Sequence, residues 1–129
     1  MIRRIATRVA VILLVGGLLL SASAALSGCA PSPPSEPAGI HGTVTSLVPG
    51  DARPASILVV GPKAQPSGAI ADQARVTIAP QTLFFDAAGK PGDPADIRVG
   101  TKVVVWFQGA VAETYPVQGT ARAVQIGGK

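Results

Sequence analysis

Cysteine and histidine are almost missing from this 129-residue chain: Cys29 and His41 are each the single residue of their kind. One cysteine excludes a disulfide framework, and one histidine beside it cannot complete a Cys/His zinc site. Charged residues make up 14% of the chain and aromatic residues 4%, the latter being Phe84, Phe85, Trp106, Phe107 and Tyr115. A Ser/His/Asp site needs an imidazole in reach of its nucleophile. His41 is the only candidate, and it alternates with Thr43 and Thr45 on what reads as the polar, exposed face of a strand. No Gly-x-Ser-x-Gly elbow accompanies it.

The formal charge of +4 is unevenly placed. Arg3, Arg4 and Arg8 precede any acidic residue, whereas from Cys29 onward eight basic residues face seven acidic ones, 8 − 7 = +1. A nucleic-acid surface needs clustered cations interleaved with exposed aromatics. Here the later cations are scattered singly, so no nucleic-acid partner is expected.

What the chain does have is one long apolar run. Val9 to Leu20, VAVILLVGGLLL, carries no polar side chain and follows the short positive segment Met1 to Arg8. A charged start, 7–15 apolar residues and a small-residue stretch, here SASAALSG, are the parts of a secretory signal peptide. The arginines stay at the cytoplasmic leaflet while the run partitions into hydrocarbon. Leu26-Ser27-Gly28-Cys29 closes that stretch and resembles the bacterial lipobox, a branched aliphatic residue and two small ones before cysteine. That resemblance implies cleavage between Gly28 and Cys29, with Leu26, Ser27 and Gly28 recognised by a lipoprotein signal peptidase. It also implies a diacylglycerol thioether on Cys29. Two or more acyl chains hold a protein stably at a bilayer where one does not. The expected location is therefore the extracytoplasmic side of the cell membrane, lipid-anchored, with the membrane itself as partner.

Residues 29–38 then read as the lipidated cysteine and a proline-rich linker. APSPPSEPA (30–38) has four prolines and no large apolar side chain, which predicts a polyproline spacer of roughly 28 Å that stays outside any core.

Residues 39–129 are sufficient for one small domain. Turn-formers at Pro49-Gly50, Gly61-Pro62, Pro66-Ser67-Gly68, Gly89 and Pro91-Gly92 separate short β-branched runs. Strands are predicted at Ile40–Leu47, Ser56–Val60, Arg75–Ile78, Thr82–Phe85, Lys102–Phe107 and Thr120–Ile126. The first places Ile40, Gly42 and Val44 on one face; SILVV (56–60), continuously apolar, reads as a strand covered on both faces. Asp93-Pro94-Ala95-Asp96 predicts one helical turn, with Asp93 as its cap and proline at its first position. Asp86-Ala-Ala-Gly-Lys-Pro-Gly-Asp lacks the oxygen ligands of a calcium loop at Ala88 and Lys90 and reads as a tight turn. The fold class is mainly β: a small five- to six-stranded OB-like Greek-key barrel with one short helical turn, preceded by a signal-peptide helix and the linker.

The run from Asp96 through Val103-Val104-Val105-Trp106-Phe107, followed by Gly109, Val111, Glu113-Thr114-Tyr115-Pro116 and Gln118, resembles the YobA-like domain of unknown function found in bacterial lipoproteins. The resemblance implies the barrel and brings no activity, so the chain is expected to be a non-enzymatic binding or interaction module of the cell envelope. It would take no cofactor, metal or catalytic residue, and its partner would be an envelope protein or a small ligand. Trp106, Glu113 and Tyr115 are the candidate ligand-binding residues. Alternatives are a carboxylate- or metal-dependent envelope enzyme, and a structural envelope protein without a ligand.

Overall fold

The computed structural model describes residues 31–127. The expected signal-peptide helix and the lipobox-like residues Leu26, Ser27, Gly28 and Cys29 lie outside the described residues. Six strands form in chain order: β1 (Ile40–Val48), β2 (Ser56–Val60), β3 (Gln73–Thr77), β4 (Leu83–Phe85), β5 (Lys102–Phe107) and β6 (Val117–Ile126). Each coincides with a predicted strand to within three residues at either end.

The sheet closes on itself. β1 pairs antiparallel with β2, β2 with β3, β5 with β6 and β5 with β1, and a parallel β3–β6 pairing joins the ends. Five strands thus make the OB-like barrel, with no free edge among them. The sixth strand, β4, lies parallel to the second half of β6, with Leu83 opposite Ala123 and Phe85 opposite Gln125. β6 serves both neighbours by length: Val117–Thr120 pairs with β3, and Ala123–Gln125 with β4.

Two bulges set which side chains point inward. In β1 the register shifts between Val44 and Ser46, leaving Thr45 as the extra residue. Without that shift Leu47 would face solvent; with it, Leu47 packs against the barrel core that holds Ile40, Val44, Ile57, Val76 and Val105. In β6 the shift skips Arg122, so that Ala121 and Val124, three residues apart, both enter the same core, and Phe107 of β5 joins them there. Its ring fits between two glycines. A Cβ on Gly119 would stand 2.8 Å from it, and one on Gly39 would overlap it outright. These close approaches require glycine.

The strand covered on both faces is β5, which corrects the assignment to Ser56–Val60. In β2 only Ile57 and Val59 are buried, whereas Val103, Val104, Val105 and Trp106 are all buried in β5. Val103 and Val105 enter the barrel, while Val104 and Trp106 join Phe85, Ala123 and Ala38 in a second cluster on the outside. Ala38 belongs to the proline-rich stretch, so the end of that stretch does contribute to a core. Small side chains suffice here, because the indole and the Phe85 ring supply the bulk.

Segment 78–101 closes one end of the barrel. Ile78, Phe84 and Ile97 all enter the core from it. Its one helical element is a single 3-10 turn, Pro94–Asp96, capped by Asp93, whose carboxylate accepts from the Ala95 N–H at 2.9 Å. The Asp86 turn is as tight as predicted: its Oδ1 accepts from Ala88 N at 2.9 Å and Lys90 N at 3.0 Å, and Gly89 has φ +84°.

Candidate binding surface

The strand directions sort the loops to two ends of the barrel. Segments 49–55 and 78–101 share one end; segments 61–72 and 108–116, with the start of β1, share the other. Each end has its own polar device.

At the first end Arg53 reaches from the β1–β2 loop into the β3–β4 connection. Its Nη1 donates to the carbonyls of Ala79 at 3.2 Å, Pro80 at 3.4 Å and Thr82 at 3.3 Å, and the guanidinium lies 5.1 Å from the centroid of the Phe84 ring. Beneath it Thr82, a buried polar residue, donates to Ala121 O at 2.7 Å and accepts from Ala79 N at 2.9 Å. Nη1 meets three carbonyls of the neighbouring connection and the guanidinium covers the Phe84 ring, so this arginine clasps two loops.

At the second end the β2–β3 loop folds over β1. β2 ends opposite Thr43, which leaves the N–H and C=O of His41 facing outward on that side. Gln65 takes the place of a strand: its Oε1 accepts from His41 N and its Nε2 donates to His41 O, both at 2.9 Å. The covering loop leaves His41 half-buried rather than exposed as expected. Beside it the backbone of Ile70 donates to Gly39 O at 2.9 Å, leaving the Ile70 side chain 52% exposed.

Tyr115 stands next to this loop. Its ring is 66% exposed, and its hydroxyl is 3.5 Å from Oδ2 of Asp72. The tyrosine therefore projects from the surface. Partial desolvation, then the negative charge of Asp72 and the contact between the two, push the phenol above its ordinary pKa. Tyr115, Asp72, Lys63 and Ile70 line a shallow depression of about 440 Å³. It offers an apolar ring face, an aliphatic side chain, one cation and one carboxylate.

The three candidate ligand residues are not brought together. Trp106 is buried on the outside of β5, its Nε1 donating to the carbonyl of Glu36 at 2.9 Å. A larger depression of about 590 Å³ beside it is bordered by Glu36, His41, Ser67 and Gln125. Glu113 is exposed and lines neither hollow. Ile70 and Asp72, the neighbours that make a surface of Tyr115, were not among the candidates. They sit some 43 residues earlier in the chain, and only the side-by-side placement of two loops unites them.

The family model described as "Protein of unknown function (DUF3221)" matches residues 50–126. The chain belongs to that family. The DUF3221 match takes in β2 through β6 and so covers Arg53, Asp72, Trp106 and Tyr115. No curated protein and no solved structure matches the chain. Among the described residues no three His, Cys, Asp or Glu side chains are grouped to hold a metal ion.

Proposed function

We propose that this DUF3221 protein is a lipoprotein of the YobA-like kind, held on the extracytoplasmic side of the cell membrane through Cys29. Its barrel is a non-enzymatic binding module for an envelope protein or a small ligand. The observation that carries the reading is Leu26-Ser27-Gly28-Cys29 placed five small residues after a 12-residue apolar run, with the chain's single cysteine at the acceptor position. A thioether-linked diacylglycerol adds two acyl chains, enough for stable anchoring. The exposed Tyr115 ring beside Asp72, Lys63 and Ile70 supports the choice of binding surface, since the loop joining the fourth and fifth barrel strands is among those with which OB folds take their ligands.

Replacing Cys29 with Ser tests the anchor. The expected result is soluble protein or an unprocessed precursor; membrane-bound protein of unchanged mature size overturns it. The binding surface is tested by thermal-shift screening of envelope glycans, peptides and ions against the parent and Tyr115→Ala proteins. A ligand that binds the native state alone raises the Tm. A hit whose shift survives Tyr115→Ala puts the surface elsewhere.

A further inference from the structure

We infer that the segment before β1 is a strap that sets the barrel's orientation, so that the turn Asp86–Pro91 faces phosphate-bearing lipid headgroups while Tyr115 points away from them. The inference rests on the reading of Cys29 as lipidated.

The strap can be followed residue by residue. Gly39 N donates to Val105 O at 2.8 Å, and Ala38 is buried against Phe85 and Trp106. Glu36 accepts the Trp106 indole N–H through its carbonyl, and its carboxylate pairs with Arg122 of β6. Further upstream, the Pro33 ring lies beside Gly89, where an added Cβ would stand 3.5 Å from it. The segment therefore crosses the outside of β5 and β6 and arrives at the turn that follows β4. Pro33 is half-buried there.

Pro33 stands only four positions from Cys29. Fully extended they reach about 14 Å. A compact domain of this size has a radius of gyration near 13 Å, so such a tether cannot carry the lipid round to the opposite side. The roughly 28 Å spacer expected from the sequence is thus halved by docking.

The turn itself suits a headgroup layer. Lys90 is exposed, and the nearby Asp86 carboxylate is already engaged by two backbone N–H groups. Ala87, Ala88 and Pro91 are small and exposed, letting the backbone approach closely. β4 runs parallel to β6, so this turn lies toward the end where β6 finishes, and Tyr115 lies where β6 begins. The candidate binding surface then faces the envelope space.

The test uses the full-length lipidated protein in vesicles of phosphatidylethanolamine and phosphatidylglycerol. A thioether at Cys29 leaves an engineered cysteine as the sole free thiol, so nitroxides are placed singly through Ala88→Cys and Ile70→Cys, both at exposed positions. Collision with a water-soluble nickel chelate should be several-fold lower at 88 than at 70. Inserting a flexible Gly/Ser segment of about twenty residues between Ala30 and Pro31 should abolish the difference. Equal accessibility at both sites, or a difference that survives the insertion, overturns the orientation and leaves the anchor intact. A mass spectrum without diacylglycerol on Cys29 overturns both.

Discussion

The indole N–H of Trp106 donates to the main-chain carbonyl of Glu36, 2.9 Å away and seventy residues earlier in the sequence. That bond fastens a proline-rich segment to the outside of a barrel strand and gives the chain's single tryptophan a structural task.

Trp106 should therefore report on strap and barrel together. Trp106→Phe keeps an aromatic ring against Phe85 and loses one hydrogen bond, an expected cost of about 1 kcal/mol. Trp106→Ala removes the packing as well and should cost about 3–5 kcal/mol, a large part of a small domain's stability. Urea unfolding followed by far-UV circular dichroism ranks the two; equal losses would mean the indole is not packed as described.

Arg53 is the second structural prediction. A lysine keeps the charge but loses the planar guanidinium that covers the Phe84 ring while its Nη1 meets three carbonyls. Arg53→Lys and Arg53→Met should be destabilised to a similar degree, about 1–3 kcal/mol. Full rescue by lysine would show that charge alone matters there.

Gln65 stands in for a missing strand beside His41, and both of its amide groups are used. Gln65→Ala should cost about 1 kcal/mol and raise amide hydrogen exchange at His41 while leaving β5 protected. Gln65→Glu should be worse near neutral pH, because a carboxylate can accept from His41 N but meets His41 O as a second acceptor. Its deficit should shrink as the pH falls and the carboxyl takes up a proton. Stability measured from pH 7 to 4 checks the sign.

Tyr115 is the only tyrosine, so its phenol can be titrated alone by absorbance near 295 nm. The folded protein holds this proton more firmly than the unfolded chain does. Stability from this group is therefore constant below about pH 10, and it falls as the pH rises through the higher folded-state value. Asp72→Asn removes the neighbouring negative charge and should bring the midpoint down. An unchanged midpoint would show that Asp72 contributes nothing to the shift.

The strand positions were legible because burial on one side imposes a two-residue period and because glycine and proline punctuate it. The candidate site was legible only in part. Tyr115 was found as a ring in a polar loop, but Ile70 and Asp72 carry no local signal. Their importance arises from where a neighbouring loop happens to pass. Trp106 was recognised as an aromatic and assigned to the same surface, since nothing local says that residues 36–38 will cover it.

From its sequence alone, the chain was legible as a small, nearly neutral β domain preceded by a positive segment and an apolar run, because charge placement and hydrophobic periodicity are local properties. The tertiary structure decided the rest. Ladder closure between β3 and β6, the two bulges that return Leu47 and Val124 to the core, and the docking of Glu36 and Ala38 on β5 all depend on partners far away in sequence. The proline-rich stretch shows the difference best. Its composition is that of a spacer, and its last residues belong to the fold because a tryptophan seventy positions later has an N–H to satisfy and a face to bury.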